Sequence, residues 1–267
     1  MPLLHLLLVA VIQGLTEFLP VSSSGHLILL PNLTGLADQG LTIDVAVHLG
    51  TLGAVVLYFW RDVRVALIGT GRLIRGKVDT QGAFLALCLA IATVPVVILG
   101  LALKLAGLDE ALRSTAVIGW TMLLFGLLLW WADRKGPQTR VAREWTLRDA
   151  VKMGLWQAVA LIPGTSRSGI TITAARMLGY ARHDAAKLAM LMSIPTILAS
   201  GLVLGAEVAM EADAAIARDA GIAAVFAFLS ALLALTLMMR LLRTVSFTPY
   251  VIYRVALGLV LLWIAYA

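Results

Sequence analysis

A chain of 267 residues that is 61% hydrophobic and only 13% charged, with a mean hydropathy of +0.95, lies far from soluble-domain composition and reads as a polytopic membrane protein. Its net charge of +6 does not mark a nucleic-acid binder, because the basic residues fall in short loops between apolar runs instead of along one stripe. The single cysteine, Cys88, excludes an internal disulfide and a thiolate metal cluster; it sits in an apolar run and reads as packing.

In chain order, the first apolar run, at about 3–30, is broken by Gln13, Glu17, Pro20 and Gly25. It has no basic n-region and no small-residue cleavage site, so no removable signal peptide is expected. Runs long enough to span a bilayer follow at about 44–60, 83–105 and 113–132. A second broken run, at about 150–172, contains Pro163, Gly164 and Gly169, and three more spans follow at about 185–206, 219–241 and 249–266. Irregular backbone is not tolerated against lipid and must be buried in protein or line a wet cavity. Both broken runs are therefore expected to be re-entrant helical hairpins. The predicted fold is an all-α integral membrane protein with six transmembrane helices and two such hairpins.

Loop charges set the orientation. The 61–82 loop carries Arg61, Arg64, Arg72, Arg75 and Lys77, and the 133–150 loop carries Arg134, Lys135, Arg140, Arg143 and Arg148. Arg176, Arg182 and Lys187 precede the fourth span, and Arg240 and Arg243 lie between the last two. Threading six spans puts all of these on the cytoplasmic face and both chain ends outside. The other face receives Lys104, Arg113 and Arg218, with Glu207, Glu211, Asp213 and Asp219.

The two broken runs align. Glu17-Phe-Leu-Pro20-Val-Ser-Ser23 runs against Ala160-Leu-Ile-Pro163-Gly-Thr-Ser166, and Asp44-Val-Ala-Val-His-Leu against Asp184-Ala-Ala-Lys-Leu-Ala. One hairpin plus three spans in each half, about 1–132 and about 148–267, predicts an inverted-topology repeat within a single membrane domain covering 1–267. The hairpins would enter from opposite faces and meet near the middle.

Ionisable groups at membrane depth are costly and point to function. Gln13 and Glu17 are neighbours on one helix face. Ser22, Ser23, Ser24 and Gly25 follow Pro20 as a turn before His26 opens the next helix. Hydroxyls and glycine at a helix start favour an anion, whereas a carboxylate suits a hard cation such as Mg²⁺ or Ca²⁺. Carboxylate, hydroxyl and imidazole together point to metal-assisted phosphoryl transfer. In the second run, Arg167 stands among Ser166, Ser168 and Gly169 with Thr171 beyond; a guanidinium with hydroxyls and free amides grips phosphate. Glu17 and Arg167 must meet if either burial is to be tolerated. Taken singly, Glu17 reads equally well as a helix cap, His26 better as a packing histidine and the serines as glue between helices; the constellation carries the reading.

Gln13-x-x-x-Glu17-Phe-Leu-Pro-Val-Ser-Ser-Ser-Gly-His26 together with Pro163-Gly-Thr-Ser-Arg-Ser-Gly-Ile-Thr171 resembles the paired signature of the bacterial undecaprenyl-diphosphatase family associated with bacitracin resistance. The similarity extends over the chain, including Phe59-Trp60-Arg61 and Ser246-Phe-Thr-Pro-Tyr-Val-Ile-Tyr-Arg254. The resemblance implies an enzyme of the bacterial inner membrane that hydrolyses undecaprenyl diphosphate to the monophosphate, recycles the lipid carrier of cell-wall synthesis, depends on Mg²⁺ or Ca²⁺ and opens to the periplasm. It assigns Glu17 as the acidic catalytic and metal residue and Arg167 as the phosphate-binding arginine. Ser23 matches the nucleophile, with His26 as its base or itself the nucleophile. Ser22, Ser24, Ser166, Ser168, Thr171 and Gln13 surround the substrate. Many members carry Glu where this chain has Gln13, so the cation here leans on Glu17, water and the substrate's own oxygens. Partners are the polyprenyl diphosphate and membrane lipids, with a homodimer left open.

Other polar residues receive plainer readings. Asp44 and His48 form either a second layer around the site or a helix-face pair. Arg254 reads as a snorkelling residue near the end of the last span, and His5 and His183 as interfacial. The rival function is a secondary transporter or lipid flippase, for which inverted repeats and broken helices are equally diagnostic. A transporter needs no nucleophile and base beside a carboxylate, and must open to both faces.

Overall fold

Every element of the computed structural model is helical among the described residues, which are 2–34, 40–108, 112, 114–208 and 214–267. Arg113, Glu211 and Asp213, which entered the loop-charge count, lie outside them, as does the Glu207 side chain. Six helices are long and apolar enough to cross a membrane: α3 (Leu41–Tyr58), α5 (Gln81–Leu105), α6 (Thr115–Lys135), α9 (Arg182–Val208), α10 (Ala214–Leu241) and α11 (Thr248–Tyr266). The chain is a multi-pass membrane protein. All six fall where the apolar runs placed them.

The two broken runs are each two short helices joined by an irregular turn. α1 (Leu3–Phe18) and α2 (Ser23–Thr34) form the first; α7 (Leu147–Ala158), a single 3-10 turn at Val159–Leu161 and α8 (Arg167–Met177) form the second. At 1.5 Å per residue none of these four helices reaches about 30 Å, the thickness of a bilayer core. The helices stop for local reasons. Pro20 cannot supply an N–H to α1, and Ile162 leaves the 3-10 turn in an extended conformation ahead of Pro163.

One expected loop is a helix. α4 (Trp60–Leu73) occupies most of 61–82, with Arg61 and Arg64 exposed beside exposed Trp60, Leu67 and Ile68. Basic and large apolar side chains together on an exposed helix suit a bilayer surface. It packs on α5 because Gly69 lies against Gly82: a Cβ at Gly69 would meet the Gly82 carbonyl carbon at 2.0 Å.

α1, α3 and α10 form one tightly packed group. Small residues let backbones approach where lipid offers no hydrophobic drive, and Gly50 of α3 lies so close to α10 that a Cβ would sit 2.2 Å from the Ala224 carbonyl oxygen. His5 is buried at 3% exposure among neighbouring helices.

Three of the predicted loop charges, Arg140, Arg176 and Arg182, are structural ties. Arg176 is fully buried. Its Nε donates to Asp133 at 3.1 Å, and its Nη atoms donate to the carbonyls of Asp133, Gly136, Pro137 and Tyr180. Asp133 also accepts from Arg182 at 2.8 Å and from the Phe247 amide at 3.3 Å, so one carboxylate joins the ends of α6, α8, α9 and α11. Beside it, Asp149 accepts from Arg140 at 2.7 Å and from the Tyr180 hydroxyl at 2.8 Å; burial and that carboxylate push the Tyr180 hydroxyl well above its ordinary pKa. Removing one partner of a buried pair costs about 3–5 kcal/mol, because the other charge is left uncompensated. Asp133→Asn should therefore lower the unfolding free energy of the detergent-solubilised chain by about 3 kcal/mol, read by circular dichroism; an unshifted unfolding curve contradicts this role.

Candidate active site

The two broken segments touch each other at their turns. Ser22 and Ser166, at φ +70° and +68°, are the two non-glycine residues with positive φ among the described residues. That conformation is uncommon for a residue with a Cβ and is held at functional sites by its surroundings. Each serine immediately precedes a helix, and each hydroxyl pairs with the serine two positions on: Ser22 with Ser24 at 3.0 Å, Ser166 with Ser168 at 3.1 Å. The geometric equivalents are thus Ser22 and Ser166, one position away from the register that aligns Pro20 with Pro163. The Gly164 amide donates to Ser24 Oγ at 3.1 Å, and Ser168 Oγ donates to the Leu19 carbonyl at 2.9 Å. Each turn is therefore tied to the other.

Between the turns, Arg167 Nη2 donates to Glu17 Oε1 at 2.5 Å, with the side chains 14% and 9% exposed. Glu17 Oε2 accepts from Gln13 Nε2 at 2.8 Å and from Ser23 Oγ at a long 3.4 Å. Arg167 Nη1 is buried without a partner. Gln13 also donates to His48 Nε2 at 3.1 Å, while His48 Nδ1–H donates to the Asp44 carbonyl at 2.7 Å. The two bonds use both ring nitrogens, Nδ1 on the Asp44 carbonyl and Nε2 on Gln13. Of the two readings of Asp44 and His48, His48 thus adjoins the site and Asp44 orients it through its backbone.

These residues surround a cavity of about 240 Å³, the liquid volume of about eight waters. Glu17, Ser22, Ser23, Ser24, Ser166 and Arg167 line it, with His48 and, from the middle of α5 and α9, Val96, Thr196 and Ser200. Not every predicted residue faces it. Thr171 is fully buried and donates back to the Arg167 and Ser168 carbonyls, so its hydroxyl is spent inside α8. Ser168 is likewise buried and holds the turn, and Gln13 acts through Glu17 and His48. His26 is also outside the lining: its Nδ1–H donates to the Ser22 carbonyl and its Nε2 accepts from the Tyr253 hydroxyl, both at 2.7 Å. Ser23 is hydrogen-bonded to Glu17, and His26 to Ser22 and Tyr253.

Arg254 corrects the sequence reading most sharply. It is fully buried and does not snorkel. Its Nη2 donates to the carbonyls of Gly164, at 2.9 Å, and Thr165, while Thr121 Oγ1 donates to the Pro163 carbonyl at 2.6 Å. Thr121 and Arg254 together thereby hold all three carbonyls of the 163–165 turn. The available signal was small: an arginine in an apolar span, opposite Gly126 and Gly169, whose missing Cβ atoms leave room for it. Tyr253 was marked only by its place in the Ser246–Arg254 stretch that carries the resemblance.

Residues 6–260 match the family described as Bacitracin resistance protein BacA. The chain belongs to that family. It is 76% identical to an undecaprenyl-diphosphatase of Dinoroseobacter shibae and 72% identical to one of Ruegeria pomeroyi, each over all of both chains. A more distant undecaprenyl-diphosphatase, from Chromohalobacter salexigens, is 47% identical over 98% of this chain and 99% of its own. All three are similar over their whole length, so both turns fall within the matched region.

Arg254→Met should free the Gly164 and Thr165 carbonyls and raise amide exchange of residues 164–168 by roughly tenfold or more, as expected for losing hydrogen bonds to a charged donor. Hydrogen-exchange mass spectrometry reads this directly; unchanged protection of that peptide contradicts a positioning role for Arg254.

Proposed function

We propose that this chain hydrolyses undecaprenyl diphosphate to undecaprenyl phosphate and inorganic phosphate, recycling the lipid carrier of envelope polymers and conferring bacitracin resistance. The observation that carries it is the Glu17–Arg167 pair beside Ser23, with a spare buried Arg167 Nη1 donor aimed for an acceptor the protein does not supply. The names of the full-length relatives support the same reaction and give no support to the transporter or flippase reading.

In the proposed mechanism the prenyl tail lies between helices and the diphosphate enters the cavity. Arg167 Nη1 takes a phosphate oxygen while Nη2 stays on Glu17. Ser23 Oγ attacks the terminal phosphorus; the new O–P bond forms as the bridging P–O bond breaks and undecaprenyl phosphate leaves. Glu17, toward which the hydroxyl already points, is the nearest acceptor for its proton. His26 donates through Nδ1 to the Ser22 carbonyl and presents Nε2, which Tyr253 must release. A water gives its proton to His26 Nε2 and attacks the phosphorus as the Ser23 O–P bond breaks, and Glu17 returns the proton to Ser23 Oγ. Arg167 stabilises charge developing on the transferred group.

The oxygen set also suits the Mg²⁺ or Ca²⁺ that belongs to this reading. Glu17 is the one carboxylate at the cavity, and the Gln13 amide bonded to it has a buried Oε1 without a partner. No group of three His, Cys, Asp or Glu side chains stands ready among the described residues, which fits a hard cation completed by water and substrate phosphate. Such an ion would supply charge neutralisation of the diphosphate.

The architecture belongs to the same proposal: two re-entrant hairpins in an inverted repeat, halves at about 1–132 and 148–267 of one domain. It is supported by the matched serine turns and by packing, since α1 pairs with α10 as α7 pairs with α5, and α3 with α10 as α9 with α5. Location in the bacterial inner membrane, with the cavity open outward, is supported by the arginines gathered at the α4, 133–150 and α8–α9 end. Assembly as a homodimer is tested by light scattering in detergent.

The purified chain should release phosphate from undecaprenyl diphosphate, and EDTA should suppress it. Arg167→Ala and Glu17→Ala should each lower turnover by about a thousandfold, the scale of losing a preorganised charge, while circular dichroism remains helical. Full turnover by helical Arg167→Ala protein contradicts the mechanism.

A further inference from the structure

A second cavity, of about 250 Å³, lies at the other end of two helices that wall the first. On α5 it reaches Cys88, eight residues and about 12 Å before Val96; on α9 it reaches Leu191, before Thr196. Its walls divide by chemistry. The interior is apolar, including Phe84 and Leu188, while Arg61, Arg143 and Lys187 stand around it. Asp62 is the one carboxylate in the lining and is bonded to Lys187 at 2.7 Å. Two guanidinium charges therefore exceed the acidic complement of the cavity.

The second observation is Trp145. Its ring lines this cavity and is 5% exposed, and its indole Nε1–H is buried without an acceptor. A buried donor of this kind costs roughly 1–3 kcal/mol when left unmet. Donor and guanidinium groups above an apolar interior call for an oxyanion attached to a hydrocarbon chain. The cavity opens beside the start of α4, whose exposed Trp60, Leu67 and Ile68 sit with arginines as a surface helix does at a headgroup layer. Basic pockets between membrane helices take anionic headgroups.

We propose that this cavity binds the phosphate headgroup of an anionic lipid at the basic end of the bundle, with Trp145 Nε1–H and the Arg61 and Arg143 guanidiniums as donors and the lipid chain lying against the α5–α9 apolar wall. The site is separate from the Glu17–Arg167 cavity and does not depend on the reaction proposed there.

Native mass spectrometry of the full chain released from nanodiscs tests it, using phosphatidylglycerol, phosphatidylcholine and, separately, inorganic phosphate as probes. The wild-type chain should retain phosphatidylglycerol in preference to phosphatidylcholine, and Arg61→Gln/Arg143→Gln should weaken retention roughly thirtyfold, at about one surface charge's contribution per arginine. Trp145→Phe, which keeps the ring and every charge, should weaken it roughly tenfold. Phosphate release by the same variants, expected to stay near wild type, shows that they are folded. Retention unaffected by Trp145→Phe means diffuse charge attraction and overturns the site. Equal retention of phosphatidylcholine overturns it too. Variant-sensitive binding of inorganic phosphate alone, with no lipid preference, overturns the lipid assignment.

Discussion

Neither Glu17 nor Arg167 can be buried alone. An isolated charge taken from water into a low-dielectric interior costs several kcal/mol even after relaxation, and a paired one is tolerated only with good geometry and further hydrogen bonds. The pair therefore constrains everything around it. Two segments 150 residues apart in sequence must bring their turns together, and each turn must be irregular enough to expose a side chain where a continuous helix would bury or expel it.

The backbone meets that demand with few parts. Two serines in the left-handed region open α2 and α8, and their hydroxyl partners fasten each turn to the other. Arg254 and Thr121 hold the 163–165 carbonyls from behind. Gln13 holds Glu17 from the other side and hands the chain of bonds on to His48. The outcome is a carboxylate held by Gln13, Ser23 and Arg167 and a guanidinium with one nitrogen still free. That nitrogen is the buried donor left for a ligand's acceptor atom.

How much of this was legible depended on the distance over which a signal acts. The six spans were visible because about twenty consecutive apolar residues are needed to cross lipid, and the site because Glu17, the serines and Arg167 interrupt such runs. Interactions set by tertiary packing were not. Arg254 and Arg176 look like ordinary interface arginines until the carbonyls and Asp133 facing them are known. Thr171 looks like a phosphate ligand until the helix places its hydroxyl on its own backbone. The surroundings of His26 were hidden for a similar reason: Tyr253, 227 residues away, takes its Nε2. α4 was hidden because its mixture of arginines and apolar residues reads as a loop by charge.

The central claim is that Glu17 and Arg167 form one unit across the two turns. A double-mutant cycle on unfolding free energy in detergent, built from Glu17→Gln, Arg167→Met and the double variant, tests it most directly. The account predicts a coupling of at least about 1.5 kcal/mol, within the range for residues in direct contact, whereas additivity to within about 0.5 kcal/mol would mean that the two side chains act independently and would contradict it.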